Sequence, residues 1–187
     1  MSTQRIGKYA CLEIEKRLLL VELPPGLTEK SLGWQIEDRY FPNTRMRLRR
    51  MRRIGSKDVI YKLTQKFQAD DQDATQTTIT NLYLTEAEYR LFAELEAQVI
   101  EKRRFAYHTP ERKFSIDVFD GRLSGLILAE TEFETMAELA GFTLPDFALR
   151  DVTDDRYFTG GHLAEINNDV FRRKLVEYIS GSHHGNS

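Results

Sequence analysis

Near the N-terminus the sequence reads Leu12-Glu13-Ile14-Glu15-Lys16-Arg17-Leu18. A β-strand directs successive side chains to opposite faces, so a period of two places both glutamates and Arg17 on one face. The apolar side chains then lie on the other face, and the segment predicts a strand with one charged side. An exposed strand has the same pattern, so the interpretation depends on whether other segments repeat it.

Two later segments carry aligned cations. One is Arg45-Met46-Arg47-Leu48-Arg49, whose three arginines share a face, and the other is Lys62-Leu63-Thr64-Gln65-Lys66, whose two lysines do. Like charges directly across a strand pair repel, so such a face must be solvated or must face an anion. A phosphate chain meets that requirement.

Eight segments are predicted to be strands, because their side chains alternate and Pro, Gly, Asn or Asp flank them. They are Cys11–Val21, Gly33–Phe41, Arg45–Arg52, Asp58–Lys66, Thr77–Leu84, Val99–His108, Lys113–Phe119 and Gly125–Phe133. Consecutive strands with short turns favour an antiparallel sheet that closes on itself, since closure removes both edges.

Three helices are expected beside these strands, at Thr85–Ala97, Thr135–Ala140 and Asn168–Ile179. The first two open with a threonine that is followed three residues later by glutamate, the spacing of a capping box. The predicted fold class is therefore α+β, mainly β: a closed eight-stranded antiparallel β-barrel with peripheral helices.

Length and composition predict one folded domain. The chain has 187 residues, of which 41% are hydrophobic, an ordinary globular composition. We assign residues 1–180 to this domain, and we expect residues 181–187 to be a disordered tail because they lack an apolar anchor. The formal net charge is -2, from 27 basic and 29 acidic residues. That balance argues against a nucleic acid partner, although the arginine-rich segment from Arg45 to Arg53 keeps this alternative open.

A cytoplasmic protein is expected. Cys11 is the only cysteine, so no internal disulfide can form, and no secretory signal is visible. The longest apolar stretch is far shorter than the roughly 20 residues that span a bilayer, so no membrane association is predicted.

Acidic residues complete the predicted interior. Alternation adds Lys102, Arg104 and Asp117, and then Glu130 and Glu132 near the end of the strand region. The first and last strands of a closed barrel are neighbours, so Glu13, Glu15, Glu130 and Glu132 are expected to converge. Four carboxylates suit Mg²⁺ or Mn²⁺ better than Zn²⁺. Buried charges must pair, bind metal or contact water, so the interior is predicted to be a wet tunnel that holds a compact polyanion such as triphosphate.

These motifs resemble those of the CYTH superfamily, the triphosphate tunnel metalloenzymes, whose opening motif is Glu-x-Glu-x-Lys. Here it reads Glu13-Ile14-Glu15-Lys16-Arg17. The resemblance spans Leu12 to Ala164 and continues in order through Phe114–Gly121, Gly125–Glu132, Asp151–Tyr157 and Leu163-Ala164. It implies a tunnel fold with inorganic triphosphatase, thiamine triphosphatase or adenylyl cyclase activity.

The resemblance also implies roles for individual residues. The metal ligands would be Glu13, Glu15, Glu130 and Glu132, and the phosphate-binding residues would be Arg45, Arg47, Lys66, Lys102, Arg104 and Arg156. Asp117 would position metal or water. Lys62 and Arg49 are assigned by strand parity alone. Arg17 and Asp117 are the candidate catalytic residues.

Three departures from the family pattern affect the expected mechanism. Arg17 replaces the usual lysine, Ser115 replaces a frequent acid, and Thr78-Ile79-Thr80-Asn81 replaces a strand that is commonly rich in glutamate. Arginine keeps the charge and can bind phosphate bidentately, but it cannot act as a general base. The missing acids remove candidate ligands for a second metal.

The expected function is metal-dependent hydrolysis of a triphosphate, with inorganic triphosphate as the leading substrate. Two alternatives remain: a non-catalytic module that binds polyphosphate or a nucleotide, and an adenylyl cyclase of the CYTH type. The sequence leaves open which triphosphate is used and whether the chain forms a homodimer.

Overall fold

The computed structural model describes residues 10–67 and 75–181. The strands in this part of the chain are β1 (Cys11–Leu20), β2 (Gly33–Tyr40), β3 (Met46–Arg53), β4 (Val59–Phe67), β5 (Gln76–Leu84), β6 (Gln98–His108), β7 (Lys113–Phe119), β8 (Ile127–Phe133) and β9 (Arg150–Asp151). The helices are α1 (Glu86–Ala93), α2 (Met136–Ala140), α3 (Gly160–Glu165) and α4 (Asn168–Ser180), with single 3₁₀ turns at Gly121–Leu123 and Arg156–Phe158.

Eight of the strands close into an antiparallel barrel in the order β5-β4-β3-β2-β6-β7-β8-β1, as predicted. Closure occurs at β1, which pairs with β8 along one edge and with β5 through Cys11–Ile14 along the other. The short strand β9 continues that second edge, opposite Leu18 and Leu19. It was not predicted, because two residues are too few to show an alternation.

The first helix is shorter than predicted. Its capping box is present: the Thr85 hydroxyl accepts a hydrogen bond from the Glu88 backbone N–H, and the Thr85 N–H donates to the Glu88 carboxylate. The helix ends at Ala93 rather than Ala97, because Arg39 Nη2 donates to the Ala93 carbonyl at 2.9 Å and β6 begins at Gln98. The short helix α3 was also missed, since two glycines open it.

The outer face of the barrel is covered by apolar packing. Leu18, Phe105 and Ile116 are buried, and Phe142 and Phe147 from the segment after α2 pack against their cluster. On another side, Leu48 and Leu63 pack with Tyr89 of α1. These contacts orient the opposite faces of the same strands toward the barrel interior.

One end of the interior is closed by the C-terminal segment. Leu19, Ile100 and Leu128 have the same strand parity as the charged inner residues, and they form one buried cluster with Phe158 and Phe171. The second 3₁₀ turn, α3 and α4 therefore fill this end of the barrel. No helix among the described residues has the length and apolarity to cross a membrane.

The domain assignment stays a prediction. Residues 1–9 of the predicted domain and nearly all of the predicted tail at 181–187 lie outside the described ranges.

Candidate active site

The barrel interior carries most of the charges that strand alternation predicted, and also Asp38, which was not predicted. Side chains from seven strands contribute: Glu13, Glu15 and Arg17 from β1, Asp38 from β2, Arg47 and Arg49 from β3, Lys62 and Lys66 from β4, Lys102 and Arg104 from β6, Asp117 from β7, and Glu130 and Glu132 from β8. Ion pairs between strands join many of them. Burial ranges from complete at Asp38 to exposed at Glu132.

Asp117 is held by two cations of β6. Lys102 Nζ donates to its Oδ2 at 2.5 Å, and Arg104 donates to Oδ1 at 2.6 Å and to Oδ2 at 2.7 Å. Burial raises the pKa of the Asp117 carboxyl, but Arg104 and Lys102 outweigh burial and leave this pKa below its ordinary value. Asp117 is therefore ionised and fixes the two cations. Its predicted role in positioning metal or water stays a prediction.

Arg17 links two of the predicted metal ligands. Its Nη2 donates to Glu15 Oε1 at 2.9 Å, and its Nε donates to Glu130 Oε1 at 3.3 Å. Arg104 Nη2 reaches the other oxygen of Glu130 at 2.7 Å. Burial lowers the pKa of Arg17, but Glu130 and Glu15 more than compensate, so its pKa is raised. This group stays a cation and has no capacity to accept a proton.

The four predicted metal ligands are neighbours but do not form a closed cage. Burial raises the pKa of Glu13, and Glu15, Glu132 and Glu130 raise it further against the opposing effect of Lys66. Within the described ranges, however, no three acidic, histidine or cysteine side chains are arranged to hold a metal ion. Glu15 and Glu130 are instead engaged by Arg17 and Arg104. The donor set fits a hard cation chemically, and its ligand role stays a prediction.

The other side of the interior is dominated by cations. Arg49 donates to both oxygens of Asp38, at 2.6 and 2.7 Å. Arg47 Nη2 donates to Thr64 Oγ1 at 3.3 Å, and Thr64 donates in turn to Asn81 Oδ1 at 2.7 Å. The buried Arg47 Nε has no hydrogen-bond partner, although it lies 3.5 Å from Asp38 Oδ1. Arg47 is therefore held by Asp38 and Thr64 on this side of the interior.

Lys62 and Lys66 extend this cationic group. Burial lowers the pKa of Lys62, and Arg49 and Arg47 lower it further. The pKa of Lys66 is also lowered by burial and by Arg47, in spite of nearby glutamates. In the part of the chain that the structure describes, no carboxylate forms an ion pair with either amine. Both amines are therefore in surroundings that a bound anion would stabilise.

Two predicted phosphate-binding residues lie apart from this group. Arg45 precedes β3 and is exposed, and its guanidinium stacks over the Phe67 ring at 5.1 Å. Arg156 is exposed in the 3₁₀ turn whose next two residues, Tyr157 and Phe158, belong to the closed end of the barrel. A role for either in phosphate binding stays a prediction.

The inner face of β5 lacks carboxylates, as its sequence predicted. Its inward positions are occupied by Thr77, Ile79, Asn81 and Tyr83. Ser115 lies opposite Glu130 in the register of β7 and β8. One wall of the barrel is therefore uncharged.

Asp38 and Tyr40 were missed by sequence reasoning. Their strand reads Glu37-Asp38-Arg39-Tyr40, where three consecutive charged residues obscure the alternation. The signal that identifies them is Ile36, a buried apolar residue of the same parity.

The chain is similar to a known protein over part of its sequence and to solved structures in its fold. No family model matches the chain. A 75-residue segment is 33% identical to an inorganic triphosphatase of Nitrosomonas europaea, and the match covers 40% of this chain and 50% of that relative. The chain thus matches only about half the length of this relative.

Two structures of the protein NE1496 share the barrel. One, described as an inorganic triphosphatase, aligns with a TM-score of 0.56 and 23% identity over 83% of this chain and 95% of its own. The other, described as a hypothetical protein, aligns with a TM-score of 0.55 and 25% identity over 81% and 97%. The shared fold and the partial sequence match bear out the resemblance that the motifs predicted: the chain has a closed antiparallel barrel similar to that of NE1496.

Proposed function

We propose that the chain hydrolyses a triphosphate inside the barrel with the help of Mg²⁺ or Mn²⁺, and that inorganic triphosphate is its leading substrate. The observation that carries this proposal is the group of Arg47, Lys62 and Lys66. Burial and Arg47 lower the pKa of both lysines, and within the described residues no carboxylate forms an ion pair with either amine. A chain of phosphates supplies both the acceptors and the negative charge.

The basic and acidic residues of the interior would have different roles. Arg47, Lys62 and Lys66 would bind phosphate oxygens, and Arg104 and Lys102 would stabilise the charge that develops as the P–O bond breaks. Phosphoryl transfer depends mainly on positioning and electrostatic stabilisation, so no covalent nucleophile is required.

The metal would be held on the acidic side. Glu13 and Glu132 carry no ion pair within the described residues, and Glu15 lies opposite Glu132 in register. These carboxylates are the candidate ligands. When bound, a divalent cation would neutralise phosphate oxygens and polarise the phosphoryl group.

The relatives support hydrolysis rather than binding alone. The curated relative is named an inorganic triphosphatase, and its match to this chain is partial. Because this match is partial, hydrolysis of triphosphate by this chain is part of what we propose. The uncharged wall of β5 supports the competing possibility, a module that binds without turnover.

A nucleoside triphosphate is the second candidate substrate. Tyr83 lies at the outer end of the uncharged wall and is 73% exposed, and Lys62 Nζ lies 5.6 Å from the centre of its ring. Aromatic side chains stack on nucleobases. A triphosphate bound at Lys62 would leave an attached base within reach of this ring.

The test is phosphate release from inorganic triphosphate, ATP and thiamine triphosphate with Mg²⁺ or Mn²⁺. Glu13→Gln and Lys66→Ala are expected to lose activity, while exposed residues provide the matched controls Glu134→Gln and Lys57→Ala. Turnover of none of the three substrates, with triphosphate binding intact by calorimetry, would refute hydrolysis and leave a binding module or a cyclase. Cyclic AMP formation from ATP would distinguish these two.

A further inference from the structure

Asp38 is the most completely buried acid of the interior outside the predicted motifs. It lies in β2, with Arg49 of β3 opposite it on one side and Ile100 of β6 on the other. None of its surface is exposed, and both of its carboxylate oxygens accept hydrogen bonds from Arg49. A bidentate pair of this kind fixes the plane of a guanidinium group as well as its position.

The same carboxylate reaches two further cations. Asp38 Oδ1 lies 3.5 Å from Arg47 Nε, and Asp38 Oδ2 lies 4.0 Å from Lys102 Nζ. One buried carboxylate therefore lies among cations from two strands, β3 and β6. Burial raises the pKa of Asp38, but Arg49 and Arg47 outweigh it and hold this pKa well below its ordinary value.

The bonding pattern leaves donors free for a ligand. Asp38 occupies Nε and Nη2 of Arg49, so Nη1 of Arg49 is left over. Arg47 donates from Nη2 to Thr64, and its buried Nε faces Asp38 Oδ1 at 3.5 Å. The carboxylate thus orients two guanidinium groups, of which that of Arg49 still has Nη1 to offer.

We propose that Asp38 is a positioning residue that fixes Arg49 and Arg47 in the orientation in which they bind the triphosphate. It acts through these two arginines. This inference rests on the proposed function, since it assumes that the anion in the barrel is a triphosphate.

The alternative role for Asp38 is charge balance. The two roles predict opposite changes in the affinity for triphosphate when the charge of Asp38 is removed. Removing a negative charge near a bound polyanion strengthens anion binding if the carboxylate only balances charge. Removing a positioning group weakens binding, because the freed side chains must then be ordered at the expense of binding energy. Asp38→Asn keeps the shape of the side chain and removes its charge, so the sign of its effect separates the two.

The experiment is calorimetric titration of inorganic triphosphate in the presence of Mg²⁺, which needs no turnover. Asp38→Asn is expected to raise the dissociation constant at least about tenfold, even though the barrel gains one net positive charge. Glu37→Gln is the matched control: it makes the same charge change at the adjacent residue of β2, whose carboxylate contacts Tyr89 and Arg50 instead. This control is expected to bind triphosphate like the wild type.

Arg49→Lys keeps the proposal testable if Asp38→Asn does not fold. It keeps the charge but cannot form the bidentate pair, and it is expected to weaken binding in the same direction. Where Asp38→Asn folds, its combined effect with Arg49→Gln is expected to be smaller than the sum of the two single effects, because both remove the Asp38–Arg49 pair.

Unchanged or tighter binding by Asp38→Asn, with wild-type binding intact, would overturn the positioning role alone. Failure of the wild type to bind triphosphate would overturn the proposed function together with it. Binding without hydrolysis in the wild type would overturn only the hydrolase proposal.

Discussion

Replacing Asp117 with asparagine tests whether the interior ion pairs hold the barrel together. Asp117 is 1% exposed and accepts hydrogen bonds from Lys102 and from two nitrogens of Arg104. Arg104 keeps Glu130 as a partner in the variant, but Lys102 loses its closest carboxylate. Breaking a buried pair by removing one partner costs about 3–5 kcal/mol. For a chain of this size, such a loss lowers Tm by roughly 6–20 °C.

The assay is thermal and urea unfolding without ligand, with Asp120→Asn as the control. Asp120 also accepts two hydrogen bonds from one arginine, Arg103, at 3.0 and 3.2 Å, but its side chain is 36% exposed. A pair at the surface contributes at most about 1 kcal/mol. Equal losses of stability in the two variants would refute the reasoning, because burial is the main difference between the pairs.

Three further predictions concern other parts of the barrel. The pKa of Asp38 is lower in the folded protein than in the unfolded chain, so the unfolded chain binds a proton more readily. The stability that the ionised Asp38 contributes is therefore fully present above about pH 5 and falls as the pH decreases. Acid unfolding of Asp38→Asn should show a weaker pH dependence than that of the wild type. Gly160→Ala would place a methyl group against the Tyr40 hydroxyl and is expected to cost about 1–3 kcal/mol by chemical unfolding, whereas Gly161→Ala, with nothing within 4 Å, should be tolerated. Tyr83→Ala is expected to raise KM for ATP by roughly 5- to 100-fold through lost stacking and to leave KM for inorganic triphosphate unchanged; equal effects on both would contradict a base-binding role.

Most of the fold follows from strand alternation. The predicted and observed strands differ by at most two residues at each end, because apolar outer faces and charged inner faces give a clear period of two. The exceptions have local causes. β9 has only two residues, and it is held by backbone pairing to Leu18 and Leu19 that no sequence pattern shows.

The candidate site was predictable wherever charges alternate with apolar residues. Arg47, Lys66 and Arg104 face the interior because their neighbours in sequence face outward. Asp38 lies in a run of three charged residues that obscures the alternation, and the sequence shows its parity only indirectly, through Ile36 two residues earlier. The geometry of the glutamates was also beyond sequence reasoning, because their engagement by Arg17 depends on register between β1 and β8.

The arginine-rich segment from Arg45 to Arg53 is a second case in which the sequence alone left two interpretations open. Its alternation places Arg47 and Arg49 inside the barrel, while Arg50 and Arg52 lie outside, where they bond to Glu37 and Gln35. The segment therefore does not present all of its arginines on one surface. The predicted absence of a nucleic acid partner, the cytoplasmic location and the open question of a homodimer stay as the sequence left them.

The interior suggests how a ligand would change the barrel. Arg17 and Arg104 pair with Glu15 and Glu130, and Asp38 and Asp117 pair with Arg47, Arg49, Arg104 and Lys102. A triphosphate and a metal would compete with these pairs, so the ligand must supply equivalent hydrogen bonds. Lys62 and Lys66, which form no ion pair within the described residues, can bind a phosphate without breaking one.

The most direct test of the central claim is ³¹P NMR of inorganic triphosphate incubated with the protein and Mg²⁺. We expect the triphosphate resonances to give way to those of diphosphate and phosphate, and we expect Lys66→Ala to abolish the conversion while Lys57→Ala does not. Unchanged triphosphate resonances in the wild type with Mg²⁺ and with Mn²⁺, or equal conversion by Lys66→Ala, would contradict hydrolysis inside the barrel.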